Sequence, residues 1–221
     1  TRGNAVEAVH LNGMAQGFRD NGHKVDFVSP MGGNIKREYS PSLKRAIEQI
    51  SMRTPAWIFE IILLLNNLMS LRTLIAILRN ERCDFIYERY AYFEMSTLLL
   101  TGKAKIPVVL EVNGALHSQR TTRAKHIFYD GMARYLERKM FSMADLIVVV
   151  STHLRQSLIN IGVDAGKIIV LPNAVDKSLF LENSPDDSIR QKYKVENKVV
   201  IGFVGSFHSW HGLDFLVESY A

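Results

Sequence analysis

Polar side chains follow three apolar runs of the sequence at the points where those runs end. Glu88 ends one run and Arg89 follows it, Asn113 follows the second run, and Ser151 follows the third. Ligands of open α/β sheets bind beyond the carboxyl ends of the strands, so these residues are candidates for binding a polar ligand. Each has a plainer alternative, because Asn113 with Gly114 is a common turn and Ser151 can cap a helix. Because all of these residues stand at the ends of apolar runs, we favour the interpretation that they form one binding site.

Two glycine-containing segments precede predicted helices. One contains Gly3 and Asn4, and the other contains Gly205, Ser206 and His211 and follows an apolar run. Backbone N–H groups at a helix N-terminus bind phosphate, which makes the second segment a candidate phosphate site; the alternative is a plain strand-to-helix connector. Neither segment has the G-x-G-x-x-G spacing of dinucleotide sites or the GK[ST] ending of a P-loop, so neither chemistry is indicated.

The composition is that of an ordinary globular protein. Of 221 residues, 47% are hydrophobic and 22% charged, and the net charge of +5 favours anionic partners, namely nucleic acid, phospholipid or phosphate-bearing substrates. The single cysteine, Cys83, excludes an intrachain disulfide, and the 7 histidines form no metal-binding pair. We expect a cytoplasmic protein with no metal.

Short apolar runs that alternate with segments of helical periodicity must position these candidate residues. Runs without polar alternation are typical of strands covered by helices on both faces, which predicts a doubly wound parallel sheet of the α/β class. Leu11, Met14 and Phe18 share one helix face, and another helix, which contains Tyr135 and Met140, ends before a turn at Met143–Asp145. The predicted strands are Lys24–Ser29, Asp84–Glu88, Pro107–Val112, Leu146–Val150, Lys167–Leu171 and Lys198–Val204.

The predicted elements divide the chain into two domains. Residues 1–172 form a Rossmann-like domain whose usual opening strand is missing, and residues 173–197 form a polar linker. Residues 198–221 supply one strand and the helix Leu213–Tyr220, the start of a truncated second domain. A single βα unit cannot bury its own faces, so we expect it to be poorly ordered or docked on another chain.

The basic and apolar segment from Lys36 to Leu78 has two interpretations. Its basic first half and apolar second half would suit helices lying on an anionic membrane surface. Alternatively, Trp57–Leu78 is an internal helix packed on the sheet behind a solvated basic segment. Glu60 and Arg72 interrupt the apolar tract, so we expect no transmembrane helix; the first residues also lack the pattern of an export signal.

The sequence resembles the retaining glycosyltransferases of family 4, whose GT-B fold has two facing Rossmann-like domains. The most specific match is IVLPNAVD at 169–176 followed by Phe180, which is similar to the family's V-x-P-N-G-V-D-x-x-x-F crossing between domains. Supporting matches are NGHKV at 21–25, IYERY at 86–90, IPVVLEVN at 106–113, ADLIVVVS at 144–151 and FVGS at 203–206.

The resemblance implies transfer of a sugar, with retained configuration, from a nucleotide-sugar donor to a glycan or lipid-linked acceptor. The first domain would hold the acceptor and the second the donor, with no cofactor and no nucleic-acid partner. The expected donor and acceptor cleft comprises Gly3, Asn4, Glu88, Arg89, Glu111, Asn113, Ser151 and Asn173, and the expected phosphate site comprises Gly205, Ser206 and His211.

The chain departs from the family pattern in two ways. Ser206 and His211 stand where the family commonly has an arginine and a lysine against the donor diphosphate. The family's paired catalytic glutamates have no counterpart in the 221 residues, so we expect the chain alone to be inactive. The alternatives are a non-catalytic half-protein that binds a membrane or a partner subunit, and a GT-B epimerase or hydrolase of nucleotide sugars.

Overall fold

The structure of the chain is a computed structural model that describes residues 6–28, 55–114, 128–174, 188–205 and 211–220. The chain divides into two compact units, residues 1–174 and residues 175–221, and each is described by itself. The first unit contains all the strands of the described residues.

Four parallel strands form the sheet of the first unit. They are β1 (Ile86–Arg89), β2 (Val108–Val112), β3 (Leu146–Val149) and β4 (Ile168–Val170), and they lie side by side in the order of the sequence. The α/β class and the parallel sheet are therefore confirmed, as is the prediction that Pro107–Val112 and Leu146–Val150 contain neighbouring strands.

Helices connect and cover these strands. The first unit contains α1 (Val6–Asp20), α2 (Ala56–Asn80), α3 (Ser96–Ala104), α4 (Asp130–Met143), α5 (Thr152–Asn160) and a short 3-10 turn, Ala165–Lys167. The second unit contains α6 (Ser188–Lys192) and α7 (Leu213–Glu218).

The two faces of the sheet have different coverings. Leu110 and Ile147 point to the face where α3, α4 and α5 pack, and with Phe141 they are completely buried in the main core. On the opposite face, Phe18 of α1 packs its ring against Tyr87 of β1, with the ring centres 6.0 Å apart. The predicted helices on both faces are confirmed, and near-continuous apolar strands are the sequence pattern that this arrangement requires.

Two predicted strands are wrong. Residues 24–28, the described part of Lys24–Ser29, have no strand structure, and neither have the described residues of Lys198–Val204. A strand forms only where a neighbour accepts and donates its backbone hydrogen bonds, and β1 to β4 pair only with one another. Val199 is accordingly 95% exposed. An apolar β-branched run is thus not sufficient to make a strand.

The second unit buries little of its apolar surface. Phe215, Val217 and Tyr220 of the helix predicted at Leu213–Tyr220 are exposed, and α7 has no buried residue. Since no strand forms at 198–204, no βα unit is present, and the expectation that such a unit is poorly ordered or docked on another chain stays a prediction.

Candidate functional site

The carboxyl ends of β1, β2 and β3 bring four predicted site residues to one edge of the sheet. Arg89 lies directly beside Glu111 in the register of β1 and β2, and Glu88 precedes Arg89. Val112 pairs with Val149, so Asn113 and Ser151 follow neighbouring strands at the same edge. We call this region the carboxyl edge. That its residues bind a substrate stays a prediction.

Glu111 is the centre of a buried polar network on the α1 face of the carboxyl edge. Its carboxylate accepts a hydrogen bond from the Tyr87 hydroxyl at 2.9 Å and another from the Asn113 amide. His10 of α1 places its Nε2 atom 3.1 Å from the same carboxylate. The Glu111 side chain is only 2% exposed, so these three partners stabilise a charge that would otherwise be costly to bury.

The sequence analysis missed His10 and Tyr87 as partners in this network. A usable signal was present, because Glu111 is a lone carboxylate inside the apolar strand β2 and must find donors when that strand is buried. His10 lies one and two turns before Met14 and Phe18 on the face of α1 that meets the sheet. Burial, followed by the Glu111 carboxylate, raises the pKa of Tyr87, so its hydroxyl remains a donor to Glu111.

Glu88 points to the opposite face of the sheet, because successive side chains of a strand alternate. Its carboxyl group hydrogen-bonds with the Thr97 side chain and lies close to Glu94. Burial, followed by repulsion from the Glu94 carboxylate, raises the pKa of Glu88 to about 8. At neutral pH Glu88 is therefore mainly a neutral acid, which can donate a hydrogen bond as well as accept one.

Asn67 of α2 holds the turn that follows β1. Its amide donates to the Phe93 carbonyl at 2.6 Å and accepts from the Met95 backbone N–H at 2.6 Å. Phe93 has a positive φ of 62°, which is unfavourable for a residue with a side chain and needs such support. Ser70 of α2 adds a longer hydrogen bond, 3.4 Å, to Glu94 in the same turn.

Glu60 of α2 fixes the start of α4. Its two carboxylate oxygens each accept one backbone N–H, from Phe128 and Tyr129, at 2.9 Å. The first N–H groups of a helix have no partner inside it, and a carboxylate placed there also meets the positive end of the helix dipole. Burial, followed by this carboxylate, raises the pKa of Tyr92. Helix α2 thus positions both the turn after β1 and the start of α4.

Among the described residues, three buried polar atoms at the carboxyl edge have no hydrogen-bond partner. Nη1 of Arg89 and Oδ1 of Asn113 lie on the α1 face of the sheet, and Oε2 of Glu88 lies on the opposite face. Buried polar groups are nearly always paired, so unpaired ones at one edge of a sheet are typical of a site that awaits a polar ligand. On the α1 face, Arg89 offers a cationic donor and Asn113 an amide acceptor, a combination that suits a molecule carrying hydroxyl and anionic groups.

Ser151 and Asn173 contribute differently from expectation. The Ser151 hydroxyl accepts from the Leu154 backbone N–H at 3.1 Å, so the plainer interpretation of Ser151 as a helix cap is confirmed. Asn113 is more than part of a turn, because its amide donates to Glu111. Asn173 is exposed beyond the end of β4.

The predicted phosphate site belongs to the second unit. His211 packs its ring edge-on against Phe203, and a Cβ atom at Gly205 would lie 3.0 Å from the outer end of the same ring. Gly3, Asn4 and Ser206 lie outside the described residues. Phosphate binding by this loop stays a prediction. Within the described parts of both units, no three His, Cys, Asp or Glu side chains gather as metal ligands do.

A comparison with protein families finds one match. The family model described as Glycosyltransferase Family 4 matches residues 8–179, which is well over half of the chain and includes every strand of the sheet. No curated protein matches the chain.

Proposed function

Because the chain belongs to glycosyltransferase family 4, we propose that it takes part in moving a hexose from a nucleotide sugar to a glycan or lipid-linked acceptor with retained anomeric configuration. The observation that carries the proposal is the set of unpaired buried polar atoms at the carboxyl edge, within the matched residues. In open α/β sheets this edge is where ligands bind.

The chemistry of these atoms supports recognition of a sugar or sugar phosphate. The Arg89 guanidinium would donate to a phosphate or hydroxyl oxygen, and the Asn113 carbonyl would accept from a sugar hydroxyl. The network around Glu111 would keep Asn113 in place, because the amide of Asn113 is already held by that carboxylate.

On the donor side, we propose that residues 198–221 begin a donor-binding domain that is connected by residues 173–197. Transfer requires the charge of the departing diphosphate to be neutralised in the transition state. Gly205 and Ser206 would contribute backbone N–H groups and a hydroxyl, and His211 would be a weaker cation than the usual arginine and lysine. The family's catalytic glutamates have no counterpart here, so we propose that the 221 residues alone have no turnover.

We further propose that the protein works in the cytoplasm at the inner face of a membrane, in polysaccharide biosynthesis, without a resident cofactor. The net charge of +5 supports this placement, because lipid-linked and diphosphate substrates are anionic. The nucleotide sugar would enter as a substrate.

The test combines binding and transfer. Uridine, guanosine and adenosine diphosphate sugars are titrated against the full-length protein, and sugar transfer to lipid-phosphate and glycan acceptors is followed with a radiolabelled donor. Arg89→Gln is expected to reduce transfer tenfold or more, because it removes a charged hydrogen bond to the ligand. The matched control is Arg138→Gln, an exposed arginine of α4. Binding of a donor with hydrolysis or epimerisation but no acceptor product would replace the proposal with the alternative enzyme, and no nucleotide-sugar binding would overturn it.

A further inference from the structure

Helix α2 differs from an ordinary surface helix in what its inner and outer sides carry. On the inner side Glu60 contacts the start of α4 and Asn67 holds the turn after β1. Glu60 and Ser70 are buried there together with Leu74. An ordinary surface helix places its apolar residues inward and its polar residues in water.

The outward side of α2 is a continuous apolar stripe that ends in two arginines. Its members recur at helical spacing, so they share one face. Leu65 and Leu68 are each 57% exposed, which is high for leucine in a run of apolar neighbours. We call this surface the α2 stripe; its exposed residues are Trp57, Ile61, Ile62, Leu65, Leu68, Met69, Arg72 and Arg79.

The charges on the α2 stripe indicate what covers it. The only acidic residue of α2 is Glu60, which is buried and already bonded to two backbone N–H groups. The exposed face therefore carries apolar groups and cations without any carboxylate. Trp57 lies at its beginning, and tryptophan favours the boundary between headgroups and acyl chains. This composition is complementary to an anionic lipid surface.

Other coverings of the stripe fit less well. The segment Glu60–Arg79 is long and apolar enough to cross a membrane, with a mean hydropathy of 2.0. Crossing would break the hydrogen bonds of Glu60 and Asn67 and leave a carboxylate in hydrocarbon. A second copy of the chain pairing through the same stripe would offer no carboxylate to Arg72 or Arg79.

We propose that the α2 stripe docks the protein on an anionic bilayer, with α2 parallel to the surface and its polar side holding the carboxyl edge. The inference deepens the membrane placement in the proposed function. The proposed docking surface consists only of residues of α2, and its test measures no sugar transfer. The docking inference and the proposed transferase function can therefore fail separately. Docking would present the carboxyl edge close to the plane in which lipid-linked acceptors lie.

The test measures vesicle binding of the 221-residue chain. The chain has two tryptophans, so Trp210→Phe makes Trp57 the sole source of tryptophan fluorescence. Vesicles of phosphatidylcholine with phosphatidylglycerol are expected to shift Trp57 emission to shorter wavelength, and brominated acyl chains are expected to quench it. Vesicles of phosphatidylcholine alone should bind several-fold more weakly, and added salt should weaken binding to the anionic vesicles.

Matched variants distinguish binding through the α2 stripe from non-specific adsorption of the protein to vesicles. Ile62→Gln, Leu65→Gln and Met69→Gln together are expected to reduce binding at least a hundredfold, since each removes a large apolar group from the lipid contact. Arg72→Gln with Arg79→Gln should reduce it more than tenfold on anionic vesicles only. The control changes are Tyr135→Gln, another exposed apolar residue, and Arg138→Gln with Lys139→Gln. These controls should leave binding unchanged.

Three results would overturn the proposal. The first is no binding to either vesicle by a chain whose circular dichroism shows a folded protein. The second is equal loss of binding in the stripe and control variants. The third is a dimer in sedimentation that the stripe variants dissociate, which would assign the stripe to a second copy of the chain.

Discussion

Helices α2 and α4 meet at Glu60 but bury different proportions of polar and apolar side chains. Helix α4 places Ala133, Met140 and Phe141 in the core and keeps one buried carboxylate, Glu137, which accepts from the Tyr90 hydroxyl at 3.0 Å. Among its described side chains, helix α2 buries Glu60 and Ser70 beside a single apolar residue, Leu74, and leaves its apolar stripe exposed. Helical periodicity shows which residues of each helix share a face. Which face packs inward depends on the segments against which the helix packs. The core needs apolar volume, whereas the turn after β1 and the start of α4 need hydrogen-bond partners.

Phe141→Ala is expected to give the largest loss if α4 is held by apolar burial. Phe141 is completely buried in the main core, and truncation removes its contacts and leaves a cavity. We expect the free energy of unfolding to fall by about 3–5 kcal/mol. Urea unfolding followed by circular dichroism measures it. The matched control is Phe128→Ala, which removes an exposed ring and should cost about 1 kcal/mol or less. Equal losses would contradict the assignment of the core.

Glu88→Gln tests whether the buried Glu88 carboxyl, which lacks the two backbone N–H donors that Glu60 has, makes the stability of the protein depend on pH. The pKa of Glu88 is raised from 4.5 to about 8 by folding. The protonated carboxyl group therefore stabilises the folded state fully only when the pH is below 4.5. The wild-type protein should lose stability as the pH rises from about 5 to 8. Glu88→Gln should remove that slope and be more stable at pH 9 by about 3 kcal/mol. Urea midpoints measured across this pH range decide it, and parallel curves for both proteins would refute the raised pKa.

Glu60→Gln removes one of the two acceptors that fix the start of α4. An amide has only one oxygen, so one backbone N–H loses its partner and meets an NH₂ group instead. We expect a loss of about 2 kcal/mol in the free energy of unfolding, with faster hydrogen exchange at Phe128 and Tyr129. Glu81→Gln, just beyond the end of the same helix, is the control and should leave exchange at these two residues unchanged. Unchanged exchange in Glu60→Gln would show that polar burial does not hold α2.

Leu65→Gln is expected to change the stability of the protein least, and it can be compared directly with a change at its neighbour Leu64 in the same helix. Leu65 lies on the exposed stripe, so its free energy of unfolding in water should change by about 0.5 kcal/mol or less. The neighbouring change Leu64→Gln falls on a side chain packed beside Phe93 and Ala133, and should cost about 2 kcal/mol. A reversed order of the two losses would place the stripe on the wrong side of α2.

Much of the first unit could be predicted from its residues. The strands β1 to β4 were each predicted to within two residues at either end, because parallel strands covered on both faces need unbroken apolar runs. Glu88, Arg89, Asn113 and Ser151 were predicted to line one cleft; they lie at the carboxyl ends of β1, β2 and β3, but Glu88 and Arg89 point to opposite faces of the sheet. Their function as a binding site was not tested. The role of Ser151 as a helix cap followed from its residue type and its place before a helix.

The sequence by itself determined which segments could be buried, since side-chain polarity and its period are local properties. It also contained the matches that resemble glycosyltransferase family 4, and the family comparison agrees with them. The tertiary structure decided which segments had partners. Within the described residues, the runs at 24–28 and 199–204 have no neighbouring strand and form none, and α2 turns Glu60 and Asn67 inward because they satisfy backbone groups of distant segments. Hydrogen bonding between strands and to buried loops joins residues far apart in the chain, so no local pattern specifies it.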